Sequence, residues 1–168
     1  MVLRMEHDRV DALIAQWRRE RPDLDPSPMA VIGRTLRVAR AWSAAVEGLF
    51  AERFGLQPGW FDVLSALRRA GPPFALSPTA LSDSLMITSG GTTKRLDRME
   101  AAGLVARRPD PEDRRGILVE LTQRGREIID AAVEAHLANE ERLLAGLSAR
   151  ERETLERLLR KAERGLDP

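Results

Sequence analysis

The sequence predicts a mainly α-helical chain interrupted once by a small β-hairpin, and three observations carry this. Apolar residues recur at helical spacing through long stretches near both ends, as in Val10, Leu13, Ile14 and Trp17 at i, i+3, i+4, i+7. Between those stretches, Ser-Pro pairs and glycines mark the starts and stops of shorter helices. One segment, GLVARRPDPEDRRGILVELT (103–122), has two apolar runs, Leu104–Val105 and Ile117–Leu121, on either side of a tip of charge and proline. A charged content of 32% fits long solvated helices better than a β-sandwich, and 43% hydrophobic residues suffice for a core.

Each element has its own signal. The stripe ending at Trp17 makes a first helix that needs a partner surface. RPDLDPSP (21–28), with three prolines, breaks it as a stiff linker. Ser27 and Pro28 form an N-cap and first-turn pair for a second helix, which runs to about Phe54 through Leu36, Ala39, Trp42, Val46, Leu49 and Phe50. Gln57-Pro58 opens a third, with Trp60, Phe61, Leu64 and Leu67 on one side, ending near Ala70-Gly71. Two short helices follow. Ser77-Pro78 caps the first, MITS (86–89) connects them, and Ser89 caps the second, Gly90 to Ala102, with Leu96 and Met99 inward and Gly103 as its stop. The hairpin comes next. Thr122 begins a long helix holding Ile128, Ile129, Ala132, Val133 and His136. Ser148 and Glu151 make a capping box for a last one with Leu155, Leu158 and Leu159.

Composition excludes several function classes. Cysteine is absent, so disulfides and thiolate metal sites are out, and His7 and His136 have no ligand-like spacing; no metal and no cofactor is expected. The sequence offers no nucleophile–base pair and no phosphate loop, which argues against an enzyme. Charges break the first residues repeatedly, so they do not read as a signal peptide. No stretch is long and apolar enough to span a membrane, and the cytoplasm is the default location. With 27 basic and 26 acidic residues the formal net charge is +1, which excludes a purely electrostatic nucleic-acid binder but not a local basic face.

Two short helices joined by a few residues, the second amphipathic and basic, read as a helix-turn-helix. A hairpin after it makes a winged helix-turn-helix, whose second helix can enter a major groove while the hairpin tip reaches a minor groove. The candidate DNA contacts are Ser77, then Ser89, Thr92, Thr93, Lys94 and Arg98 on the second helix, and Asp113, Arg114 and Arg115 at the tip. Hydroxyls in a first helical turn can meet phosphates, and Lys94 and Arg98 share a face. Arginine suits a narrow minor groove, and Asp113 can aim Arg115 through a bidentate pair. The plain alternative is a solvated helix, with Asp97 and Glu100 balancing its bases, and a solvated tip.

From LSPTALSDSLMITSGGTTKRLDRMEAAGLVARRPDPEDRRGILVELTQRGREII, including Asp113-x-Arg115, Leu121-Thr122 and Gly125, the chain resembles the MarR family of transcriptional regulators. The resemblance covers about Pro28 to Leu159. It implies a homodimer built from the terminal helices, binding to a pseudo-palindromic operator in double-stranded DNA, and small ligands that weaken that binding, most simply as a repressor. On this basis residues 1–27 are an added N-terminal helix and Pro-rich linker, 28–56 and 122–168 dimerisation helices, and 57–121 the DNA-binding module. The added helix is similar to that of the urate-responsive subfamily, which pairs a tryptophan there with an aspartate before the helix-turn-helix, an arginine on the recognition helix and an arginine entering the wing. Trp17, Asp62, Arg95 and Arg107 match these types. They imply a small anionic ligand, urate or a related purine first: two arginines to neutralise it, a carboxylate to accept ring N–H bonds, an indole to cover its face. Each residue also has a plain reading. Trp17 completes an apolar stripe, Asp62 lies opposite the buried side of its helix, and Arg95 and Arg107 serve as phosphate contacts. An aromatic carboxylate or phenolic ligand, and a winged helix used for protein contacts, are the rival functions.

Overall fold

The computed structural model describes residues 9–85, 92–111, 113 and 116–166, with Thr92 by its backbone. Along them run α1 (Arg9–Glu20), α2 (Ser27–Phe54), α3 (Trp60–Arg69), β1 (Ala75–Leu76), α4 (Pro78–Ser84), α5 (Thr92–Ala101), β2 (Val105–Pro109), β3 (Ile117–Leu121), α6 (Gln123–Leu143) and α7 (Ala149–Glu163). The fold is mostly helical with a small antiparallel sheet, as the sequence predicts. Two compact units, Met1–Ala45 and Val46–Pro168, divide within α2.

In the first unit, α1 lies on the start of α2. Val10 and Ile14 are buried. The helices approach closely at Gly33, where a Cβ would stand 3.6 Å from Val10 Cγ1, in ordinary contact, so the packing would accept a small side chain there. Arg34 Nη2 donates to Asp11 Oδ1 at 2.8 Å. Ser27 is already helical, so the acceptor at the start of α2 is not its own hydroxyl. Asp25 takes that place: its carboxylate accepts from the Ser27 hydroxyl at 2.6 Å and from the Ser27 backbone N–H at 2.9 Å. These two bonds, the hydroxyl's first, hold the Asp25 pKa below the usual carboxylate range.

The second unit has one core. Leu64 and Leu67 of α3, Leu81 of α4, Met99 of α5, Val105 and Val119 of the hairpin and Ile129 of α6 are fully buried within it. The helical and two-residue periodicities read from the sequence thus converge on a single apolar centre. The sheet has three strands, in the order β1-β3-β2, rather than the two of a bare hairpin. Ala75 pairs with Glu120 and Leu76 with Val119. A strand of two residues shows no alternation, so sequence pattern cannot reveal it.

The long helix α6 begins against the end of α5. Thr122 is its N-cap, accepting from the Gly125 N–H at 2.9 Å. The same hydroxyl donates to Gly103 O at 2.7 Å, and the Thr122 N–H donates to Leu104 O at 3.1 Å. Arg124 Nη1 adds a bond to Ala102 O at 3.2 Å. A Cβ on Gly125 would stand 2.1 Å from Leu104 O, a backbone atom that cannot swing aside. Gly125→Ala is therefore expected to destabilise the fold at the upper end of the overpacking range, about 3 kcal/mol, measured as a lower denaturation midpoint with unchanged slope.

Candidate nucleic-acid interface

Helix α5 sorts its side chains by chemistry. Leu96 and Met99 are buried in the core, while Thr93, Lys94, Asp97 and Arg98 are exposed. Lys94 and Arg98 are one turn apart, so their charges lie together on the solvent side. Ser77 is the N-cap of α4, its Oγ accepting from the Ala80 N–H at 3.2 Å. Its hydroxyl has a structural task whether or not it also meets a phosphate.

The wing is the antiparallel pair β2–β3, with Val105 opposite Leu121 and Arg107 opposite Val119. At its far end the Asp110 N–H donates to Gly116 O at 3.0 Å and the Gly116 N–H to Asp113 O at 2.8 Å. A Cβ on Gly116 would stand 3.0 Å from Asp110 Cβ and 3.2 Å from Asp113 O, so a side chain there would press on both neighbours in the turn. Asp113 thus sits at the tip as expected. Ser89, Arg114, Arg115 and the Thr92 side chain lie outside the described residues.

The residues proposed for an anion are not all brought to one place. Asp62 is half-buried in the first turn of α3. Arg95, half-buried on α5, lays its guanidinium over the start of that same helix. A Cβ on Gly59, the residue before α3, would be 2.8 Å from Arg95 Cζ and 3.0 Å from both terminal nitrogens. Gly59 also has φ 75°, where a side chain is strained. Arg107 turns elsewhere: Nη2 bonds Asp97 Oδ1 at 2.7 Å and Nη1 bonds Glu100 Oε2 at 2.6 Å. Residues 97 and 100 lie roughly 140–160° around α5 from residue 95. The Asp97 bond, followed by those of Glu100, raises the Arg107 pKa above its ordinary value despite partial burial. Trp17 belongs to the first unit, where it lines an apolar groove of about 820 Å³ with Leu13, Ile32 and Leu36, and with Arg9, Arg37 and Arg40 also along the lining.

Sequence reasoning missed Gly59, Asp97 and Glu100. The two carboxylates read there as charge balance on a solvated helix, whereas each has an assigned partner. Their signal was spacing: two acids one turn apart, followed by an arginine at the mouth of a strand. His136 lies against the rings of Phe50 and Phe61, at centroid distances of 5.3 and 5.0 Å. Among the described residues no cluster of His, Asp or Glu is arranged to hold a metal, and no helix is long and apolar enough to cross a membrane.

A cationic helix face beside a two-stranded wing, both fixed on one core, defines a winged helix-turn-helix of the DNA-binding kind. The MarR family model matches residues 54–116. The chain is 41% identical over 157 residues to the HTH-type transcriptional regulator PecS of Dickeya dadantii (strain 3937), covering 94% of each chain. Its fold is similar to a variant of MarR from E. coli complexed with operator DNA, with TM-score 0.67 and 28% identity over 87% of this chain and 96% of that one. It is also similar to BpsR of Bordetella bronchiseptica, solved to explain regulation of its DNA binding by 6-hydroxynicotinic acid, with TM-score 0.67 and 29% identity over 79% of this chain and 92% of that one. The chain belongs to the MarR family of DNA-binding transcriptional regulators and is not an enzyme.

The approach of Arg95 to Gly59 can be tested by a double-mutant cycle. Gly59→Ala is expected to cost about 1–3 kcal/mol in denaturant unfolding, part from strain at positive φ and part from collision with the guanidinium. Arg95→Ala in that background is expected to recover the collision part. Strict additivity of the two changes would show that Arg95 does not rest there.

Proposed function

We propose that this protein is a cytoplasmic, homodimeric repressor that binds a pseudo-palindromic operator and leaves it when a small anion binds, with urate or a related purine as first candidate. The observation that carries the ligand reading is the position of Arg95. It rides on the DNA-reading helix and rests over the turn that holds Asp62. An anion drawn to the guanidinium, with its ring N–H groups on the Asp62 carboxylate, would favour one placement of α5 over another. Such a coupling needs only about 1–3 kcal/mol of differential affinity. Arg107 would contribute to the same anion only by giving up Asp97 and Glu100. Trp17, the fourth residue of the proposed set, supplies a fluorescence reporter. The regulation of BpsR by 6-hydroxynicotinic acid supports the alternative of an aromatic carboxylate.

Operator contact is assigned to Thr93, Lys94 and Arg98 on the exposed side of α5, with Ser77 and the tip residues Asp113, Arg114 and Arg115 added from the sequence. Ser89 and Thr92 join them at the start of the recognition segment. The test is binding to the DNA upstream of the protein's own gene, titrated with urate, xanthine and salicylate. Urate is expected to displace the DNA and to quench tryptophan fluorescence, with part of that quenching lost in Trp17→Phe. If salicylate alone displaces it, the ligand is an aromatic acid; if nothing does at millimolar concentration, the small-anion reading is wrong and the DNA-binding regulator stands alone.

Dimerisation rests on apolar faces that this chain leaves uncovered. α7 buries none of its residues, and Leu158 and Leu159 are 50% and 44% exposed. In the first unit Leu13, Ile32 and Leu36 are all more than half exposed. At roughly 25 cal/mol per Å² of apolar surface, a second copy covering both faces gains substantially. Sedimentation at micromolar concentration is expected to show a dimer, and Leu158→Glu with Leu159→Glu to shift it towards monomer.

A further inference from the structure

Two carboxylates on the DNA-reading helix end on the wing instead of in solvent. Asp97 and Glu100 are one turn apart on α5, and both bond the Arg107 guanidinium, at 2.7 and 2.6 Å. Glu100 binds the strand itself as well, its Oε1 accepting from the Arg107 backbone N–H at 2.9 Å. Strand alternation explains why Arg107 faces that way. Val105 and Arg107 point to one side of β2, and their cross-strand partners Leu121 and Val119 are buried on that side. Arg107 thus continues the inner, core-facing row at the point where it runs out of apolar neighbours. Arg108 points to the other side, where it bonds Glu120 at 2.8 Å. The exposures agree: the Arg107 side chain is 28% exposed and that of Arg108 is 67%.

We propose that Arg107 is a positioning residue for DNA binding, a latch that fixes the wing to the recognition helix through Asp97 and Glu100 without itself touching DNA. Recognition by a winged helix requires the helix and the hairpin to reach two grooves at once, so their relative placement is part of the affinity. The turn between α5 and β2 fixes only the near end of the hairpin. The three bonds at Arg107 hold it further out. They also offset part of the negative charge of two carboxylates that would otherwise repel the phosphates more strongly, on the helix that must approach them. The inference stands on the DNA-binding function of the family and is independent of which ligand, if any, the protein senses.

Two simple alternatives make opposite forecasts, which gives the test its power. If Asp97 and Glu100 merely oppose the DNA, Glu100→Gln tightens binding. If Arg107 is a phosphate contact, Arg107→Gln shallows the salt dependence by about one unit of log–log slope. The experiment is fluorescence anisotropy of the full-length protein on the duplex upstream of its own gene, over a series of salt concentrations. It uses wild type, Glu100→Gln, Asp97→Asn, Arg107→Gln and the Arg107→Gln/Glu100→Gln double variant. Arg98→Ala serves as the comparison for a lost backbone contact, and thermal melts confirm folding of each variant. A latch predicts that Glu100→Gln and Arg107→Gln each weaken binding about three- to tenfold with the salt slope unchanged. It also predicts that the double variant is no weaker than Arg107→Gln alone. Tighter or unchanged binding by both Glu100→Gln and Asp97→Asn, a shallower slope for Arg107→Gln, or additive losses in the double variant would each overturn it. Absence of binding by the wild type would instead count against that duplex as the operator, and the same series on a duplex selected from random sequence then decides the matter.

Discussion

The contact on which the most structure depends is the close approach of the first turn of α6 to the carbonyl of Leu104. Only a glycine at 125 permits it. Around that point Thr122 and Arg124 take up the carbonyl oxygens left at the end of α5, on Ala102, Gly103 and Leu104. A helix end without such partners would leave buried acceptors unsatisfied. Because Leu104 leads directly into β2 and Thr122 directly follows β3, both strands of the wing are rooted in the same joint. The recognition helix, the wing and the long C-terminal helix therefore cannot be displaced independently at this end.

Much of this was legible in the sequence because it is local. The period of apolar residues placed the helices, Ser77 caps α4 where a cap was expected, Thr122 stands where α6 was expected to begin, and Glu151 closes on the Ser148 N–H at 2.8 Å. Leu96 and Met99 are buried as their spacing required. What stayed hidden is long-range or depends on direction. The pairing of β1 with β3 brings together residues more than forty positions apart. The space that Gly59 leaves for Arg95 is visible only once α3 and α5 are folded together. Arg107 and Arg108 are neighbours of identical chemistry in the chain, and only the pleat sends one to the recognition helix and the other to Glu120. At the start of α2 the shift was of two residues: the side chain that accepts from the helix start is Asp25, not Ser27.

The near-zero net charge is reconciled with DNA binding by how the acids are spent. Asp97 and Glu100 are engaged by Arg107, Glu120 by Arg108 and Asp130 by Arg68. Lys94 and Arg98 meanwhile stand on the exposed side of α5. An overall balance of 27 bases to 26 acids thus conceals a local asymmetry, and it is the local field that a phosphate backbone meets.

The register of β2 against β3 has an evolutionary consequence. Arg107 stands opposite Val119, and successive residues of a strand face opposite ways. A single-residue insertion or deletion between Val105 and Arg107 would present Ala106 or Arg108 to the recognition helix and turn Arg107 outward. Length changes beyond Pro109 would leave the paired strands as they are. The tip beyond Pro109 can therefore change length without turning Arg107 away from the recognition helix, while the strand beneath it must keep its count.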